Sequence, residues 1–308
     1  IVFLIIIIRL YFIQIKSTDC FYFNEGACKE NILIEASKRQ VHLKKITAHR
    51  GIIFDRNNNI LAMSLPSKTL CINPSKLYKK NYKEIKNLSI LLNISDQELF
   101  NIISKHKDKK EYYLKRHIEK KLYLKIKNKI DNPFIYFINE NKRIYLGGKP
   151  FSNIIGFTNV DDKGQEGIEY ISNDKLSPIN GLKRVKKDNI GRTIETIEII
   201  KKPSPGRNII LTLDKRLQII GYEILRKYIN KFNADSGSIV LVESSSGKIL
   251  SMTDYPSFDP EKRHTYKGDK IKNRVVYDLI EPGSTIKPLI VYAGLEKNII
   301  QESTVIDT

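Results

Sequence analysis

The sequence predicts an α+β protein: an apolar N-terminal helix, a β-rich first domain with a helical insert, and a second domain in which a helix packs on an antiparallel sheet. Three observations carry that prediction. The most apolar run of the 308-residue chain lies at its start. Short apolar runs broken by Asn- and Gly-rich turns recur up to residue 203. After residue 206 a strand, a capped amphipathic helix and a hairpin follow one another closely.

The opening run IVFLIIIIRLYFIQI, residues 1–15, would reach about 22 Å as a helix, short of the ~30 Å hydrocarbon core of a bilayer. It reads as the outer end of a spanning helix or as the core of a signal peptide. No small-residue cleavage site follows, and polar Lys16-Ser17-Thr18-Asp19 leads directly on, so an uncleaved anchor is expected. Arg9 would snorkel or face a partner helix. Both chain ends are expected to be cut, since the sequence starts at Ile1 and stops at Thr308.

Residues 29–50 read as an exposed amphipathic lead-in. Gly51-Ile52-Ile53-Phe54 and Ile60-Leu61-Ala62-Met63 flank an Asn-rich turn at 55–59, which predicts a hairpin. Residues 76–133 carry a Lys-rich helical pattern closed by Asn132-Pro133 and read as an inserted helical subdomain. Gly156, Gly164, Gly167, Gly181 and Gly191 then punctuate short strands and turns up to residue 200. Lys201-Lys202-Pro203-Ser204-Pro205-Gly206 is a linker by composition. It divides domain 16–203 from domain 206–308. Beyond it, Asn208–Leu213 is a strand and Asp214 an N-cap. Leu217, Ile220, Gly221, Ile224, Leu225, Tyr228, Ile229 and Phe232 recur at helical spacing. Ser238–Glu243 and Ile249–Thr253 form a hairpin around SerSerSerGlyLys.

A composition of 41% hydrophobic and 28% charged residues excludes a disordered chain. The net charge of +19 would by itself suggest a polyanion ligand. However, Lys far exceeds Arg, Trp is absent and Ile, Asn and Tyr abound, a bias that AT-rich coding produces without any binding partner. From Lys76 to Lys149, 19 basic residues face 8 acidic ones, which supplies +11 of the total. That region reads as a solvated basic subdomain, and no nucleic-acid partner is expected. The opposing reading is a binder whose DNA affinity falls steeply with salt. Cys20, Cys28 and Cys71 make no CxxC pair, and the five His show no metal-ligand spacing, so neither metal nor cofactor is expected. A Cys20–Cys28 bridge is the minor reading beside free thiols.

The chemistry concentrates in GluProGlySerThrIleLysPro, residues 281–288. A Ser and a Lys three apart on a helix share one face. Pro282-Gly283 would open that helix, which places Ser284 at its N-terminus, where orphan N–H groups favour an oxyanion. A lysine such as Lys287 accepts the serine proton only when uncharged, which requires burial or cationic neighbours. Spacing alone is weak. Ser104/Lys107, Ser172/Lys175 and Ser245/Lys248 repeat it and read as surface residues, whereas only Ser284/Lys287 has the Pro-Gly turn before it and an apolar helix after it.

The segment NRVVYDLIEPGSTIKP (273–288) resembles the active-site segment of class B penicillin-binding proteins, and Glu281 resembles the septal branch. HRGIIFDRNNNILA (49–62), GFTNVDDKGQEGIE (156–169) and KKDNIGRTIE (186–195) are similar to motifs of that family's pedestal, or dimerisation, domain. GRNIILTLDKRLQ (206–218) and GSIVLVESSSGKILSM (237–252) are similar to the opening of its transpeptidase domain, an α-β-α fold. Arg9 falls where the septal branch carries an Arg in its membrane helix. One departure, Asn58-Asn59 in place of an Asn-Gly-like turn, is minor because Asn also adopts the left-handed conformation.

The resemblance implies an inner-membrane, single-pass, periplasmic D,D-transpeptidase that crosslinks D-Ala-D-Ala stem peptides at the division septum. Ser284 would be the nucleophile, acylated also by β-lactams, and Lys287 the general base. Arg50, Gly51, Asp55, Arg56, Gly164, Glu166, Gly167 and Glu169 would be pedestal structure. Their expected job is buried salt bridging that sets the tilt of the catalytic domain. The implied partners are a polytopic division glycosyltransferase and other divisome proteins. The family's SxN and KTG motifs do not occur between Lys287 and Thr308, so residues 1–308 alone are expected not to catalyse. Two further readings stay open: a truncated, non-catalytic pedestal that binds divisome partners, and an elongation-type rod transpeptidase.

Overall fold

The computed structural model describes residues 2–14, 41–77, 82–188, 193–265 and 271–305. Cys20, Cys28, Gly191 and residues 29–40 of the expected 29–50 lead-in lie outside the described residues. The opening helix runs Val2–Gln14. Phe3, Leu4 and Ile5 stand exposed along it. No helix among the described residues is long and apolar enough to cross a membrane.

Residues 41–50 are not an exposed lead-in throughout. Val41–Ile46 forms strand β1, and Ala48 and Arg50 are buried beyond it. The hairpin follows. β2 (Ile53–Phe54) pairs antiparallel with β3 (Ile60–Ile72) around a turn in which Asn58 takes φ 63°. β3 is longer than its sequence suggested because Pro66 interrupts the apolar pattern. Pro66 falls between the stretches that pair with β2 and β4, where β3 has one neighbour only, a place a strand tolerates proline.

The Lys-rich insert is helical at Pro74–Leu77, Tyr82–Leu92, Asp96–Lys105 and Lys120–Lys129. It departs from expectation at β4 (Tyr112–Ile118), a strand on the edge of β3. Lys115 is exposed on that edge, and half-buried Arg116 takes an inward-parity position where it pairs with Glu140 at 2.7 Å, which disguises the alternation. Leu88, Leu99, Ile103 and Ile126 close a core against Leu70 and Ile72 of β3. The insert is thus a folded subdomain with its lysines outside. Cys71 lies in this region, fully buried, its thiol pushed up to about 12 by burial.

β5 (Ile135–Tyr145) pairs with β3 along its length. Three short helices, Ser152–Ile155, Gly167–Ile171 and Asn173–Leu176, replace part of the expected strands. β6 (Gly181–Lys187) lies between β1 and β7 (Thr193–Lys201) in a three-stranded antiparallel sheet.

The expected linker is pinned to the first domain. Ser204 bridges to Ile179, and the Gly206 amide donates to the His49 carbonyl at 2.9 Å. β8 is only Ile209–Ile210 and runs parallel to β2, so the chain rejoins the first sheet before it enters the second domain.

There Asp214 caps the Lys215–Phe232 helix by accepting from the Arg216 amide. β9 (Gly237–Val242) and β10 (Ile249–Tyr255) form the hairpin beneath it. Gly237 has no side chain, and Leu225 and Ile229 close over it. Only one of the helix's two apolar stripes is covered. Ile220, Ile224 and Tyr228 remain exposed, as do Val240, Leu241 and Val242 of β9.

Candidate active site

The approach to the serine is fastened to β10. The short Arg274–Tyr277 helix starts over Asp254, whose Oδ2 accepts the Arg274 amide at 2.8 Å. From Leu279 the chain stands in solvent. Pro282 holds helical angles and Gly283 takes φ 52°, a left-handed value that favours glycine. Gly283–Ile286 is then a 3-10 turn, and the α-helix Lys287–Glu296 follows without a break. Ser284 therefore precedes the α-helix instead of heading it. Three residues per turn bring positions i and i+3 into line, so the turn sets Ser284 and Lys287 on one edge. Pro288 occupies the first helical turn, where its missing N–H costs nothing.

Ser284 and Lys287 are both exposed, and no residue of their helix is buried. The desolvation that an uncharged amine needs is not supplied by the described residues. The other three Ser-x-x-Lys pairs sit elsewhere: at a helix end (Ser104), between two short helices (Ser172) and in the β9–β10 turn (Ser245).

The pedestal residues separate into three groups. Arg50 and Glu169 meet in a fully buried ion pair, Arg50 Nε donating to Glu169 Oε2 at 2.7 Å. Arg50 Nη1 also donates to the Asp162 carbonyl, Asn173 Oδ1 and Ser177 Oγ, and Nη2 to the Glu169 carbonyl. Arg143, which the sequence reading missed, completes the centre by donating from Nε to Glu169 Oε1 at 2.7 Å and from Nη1 to the Gly51 carbonyl at 2.8 Å. Its signal was parity, since Arg143 occupies the same inward face of β5 as Tyr145. Asp162 lies beside this centre with a buried Oδ1 that has no partner. Burial raises its carboxyl to about 6, although Arg50 and Arg143 pull the other way.

Gly51, Gly164 and Gly167 form the second group, and their job is close approach. A Cβ on Gly51 would stand 2.0 Å from the Arg207 carbonyl oxygen, and one on Gly164 would stand 1.9 Å from that of Glu169.

The third group does not salt-bridge in the interior. Asp55 is buried, but it accepts from the Asn57 and Asn59 amides, the Asn59 side chain and the Lys215 amide at 2.7–3.1 Å. It organises the hairpin turn and fastens it to the start of the Lys215–Phe232 helix. Arg56 is exposed, with Glu243 at 3.8 Å, and Glu166 is an exposed N-cap position. Amides satisfy buried Asp55, and Arg56 and Glu166 face outward, so the expectation of buried ion pairs fails for these three.

A family model described as the penicillin-binding protein dimerisation domain matches residues 45–211, and the penicillin-binding protein transpeptidase domain matches 237–308. The chain belongs to the penicillin-binding proteins that carry these domains. The peptidoglycan D,D-transpeptidase FtsI of Buchnera aphidicola subsp. Schizaphis graminum is 33% identical over 319 residues, covering 100% of this chain and 53% of the relative. The Escherichia coli K12 protein of the same name is 32% identical over 278 residues, 89% of this chain and 47% of that protein. The chain spans about half the length of the curated relatives it matches. Among solved structures, the complex between Penicillin-Binding Protein (PBP2) and MreC from Helicobacter pylori superposes with a TM-score of 0.65 at 22% identity. It covers 87% of this chain and 55% of that chain, a likeness of fold.

Proposed function

We propose that the full-length protein is a peptidoglycan D,D-transpeptidase of the division septum, with Ser284 as nucleophile and Lys287 as its base. One observation carries the reading: Ser284 and Lys287 line up across a single exposed 3-10 turn inside the stretch matched by the transpeptidase model. The uncharged Lys287 amine takes the Ser284 hydroxyl proton as Oγ bonds to the penultimate D-Ala carbonyl carbon. The peptide bond to the terminal D-Ala breaks, and its nitrogen leaves with that proton. A neighbouring stem-peptide amine then attacks the ester, its proton passes to the base, and Ser284 Oγ is released and reprotonated. A β-lactam enters at the first step, and its amide opens onto Ser284.

Glu281 before Pro282-Gly283 supports the septal branch over the rod branch. The apolar Val2–Gln14 helix supports a single-pass inner-membrane anchor with the bulk of the chain in the periplasm. The divisome, including its polytopic glycosyltransferase, is the partner this placement requires. That one solved neighbour is a complex with MreC and another is titled as a peptidoglycan synthase complex fits a protein that works in assemblies.

The test is covalent uptake of fluorescent penicillin by the full-length protein. Ser284→Ala should abolish labelling, and normal labelling of that variant would end the assignment. Residues 1–308 alone should label poorly, because Ser284 and Lys287 stay solvated there.

A further inference from the structure

The segment that delivers Ser284 is held from two domains at once. From the second domain, Asp254 on β10 accepts from the Arg274 amide at 2.8 Å, from the Val275 amide and from Ser238 Oγ at 2.9 Å. It is 5% exposed, so these bonds form away from competing water. It thereby does for the Arg274–Tyr277 helix what the Asn273 cap does not, since Asn273 makes no side-chain cap bond. From the first domain, Asn153 on the Ser152–Ile155 helix donates Nδ2–H to the Lys272 carbonyl at 2.7 Å. Asn153 is itself 9% exposed.

The same first-domain corner is locked to β10 by a second amide. Gln218, wholly buried, donates to the carbonyls of Pro150 and Met252 at 2.7 and 2.6 Å, and its Oε1 accepts from the Met252 amide at 2.8 Å. Asn273 Nδ2 in turn reaches Met252 Sδ at 3.4 Å. Asp278 still pairs with Arg274 at 2.9 Å, and beyond it Leu279 to Val291 are all exposed.

We infer that Asn153 and Asp254 are positioning residues for Ser284: together they clamp residues 272–275, and so fix where the serine turn stands relative to both domains. The inference rests on Ser284 being the acylated residue. Neither side chain touches the reacting atoms. They hold the segment that leads into the Gly283–Ile286 turn, which carries the nucleophile. Displacement of a reacting group by about 1 Å can cost on the order of a hundredfold in rate, so loosening this clamp should slow acylation without removing the site. The clamp also couples the first domain's corner at Pro150–Asn153 to the nucleophile, so the domains cannot shift at that corner without moving the turn.

The experiment measures pre-steady-state acylation by a fluorescent penicillin in the full-length protein, which separates noncovalent affinity from the acylation rate constant. Asn153→Ala and Asp254→Asn should each lower that rate constant about tenfold or more, with affinity and melting temperature little changed. Asn153→Asp, which keeps the size but removes the donor, should behave as the alanine variant does. Asn153→Gln, which keeps the donor, should recover part of the rate. Wild-type rate constants in Asn153→Ala and Asn153→Asp would overturn the inference while Ser284→Ala stays silent, leaving the serine assignment standing. Labelling of Ser284→Ala would instead overturn the assignment on which the inference rests. Should Asp254→Asn fail to fold, the Asn153 variants decide the question, because Asn153→Asp removes the donor to Lys272 and keeps an oxygen for Ser152 Oγ.

Discussion

Arg50 and Glu169 form an ion pair at 2.7 Å with both side chains wholly out of solvent, and it joins β2's approach to the Gly167–Ile171 helix across 119 residues of sequence. Arg143 holds the opposite carboxylate oxygen. One acid thus balances two guanidinium groups in the middle of the first domain.

Removing that acid should be severe. Glu169→Ala leaves two buried cations with only the Asp162 carboxyl nearby, and loss of one partner from a buried pair costs about 3–5 kcal/mol. The urea midpoint of the full-length protein should fall accordingly. Arg50→Lys should also destabilise, because a lysine cannot make the forked contacts to Glu169, Asn173 and Ser177.

Asp162 should act in the other direction. Its folded pKa of about 6 lies above its ordinary 3.8. The stability it contributes is therefore complete below about pH 4 and is lost as pH rises through 6. Asp162→Asn should raise stability at pH 8 by about 1–3 kcal/mol and leave it nearly unchanged at pH 4. The position has φ 63°, which asparagine accepts. Thermal melts of both proteins across that range would check the crossover.

Asp214 should supply part of the acid limb. Hydrogen bonding from the Arg216 side chain, chiefly, and from the Arg216 amide and Asn57 lowers it to about 2. Its contribution is present above about pH 4 and lost as pH falls through 2. Asp214→Ala should cost about 1 kcal/mol at neutral pH through the lost helix cap, and flatten the melting curve between pH 4 and 2.

Gly51→Ala should be expensive for so small a change. The added carbon would meet the Arg207 carbonyl at 2.0 Å, and backbone on both sides would have to part. A loss of about 1–3 kcal/mol is expected. Equilibrium unfolding checks it, with Gly247→Ala as a contrast, since nothing stands within 4 Å there and only the backbone angle resists.

The second domain was more legible in the sequence than the first, for local reasons. Asp214 announces its helix because a capping side chain acts two residues away, and Gly247 in the β9–β10 turn marks its hairpin at φ 69°. The first domain depends on distant pairing. β4 forms because β3 offers it an edge, and β1 because β6 does; neither partner is near in sequence. Strand parity placed Arg143 on the inward face of β5, but its role was not legible, because burying a guanidinium requires Glu169, whose proximity only the fold creates. At the candidate site the Ser284–Lys287 spacing was plain, whereas the hold of Asn153 on Lys272 spans 119 residues and left no local trace.

The parallel seam between β2 and β8 has a mechanical consequence. The Ile209 and Leu211 amides donate to the Ile52 and Phe54 carbonyls, and the Arg56 amide donates to the Leu213 carbonyl, each at 2.9 Å. The chain enters β2 from the N-terminal side and leaves β8 toward the second domain. Tension between those two directions slides the strands lengthwise past each other, so these bonds bear the load together and none peels first. A seam only a few residues long can thereby carry pull between the chain that precedes β2 and the domain that holds Ser284.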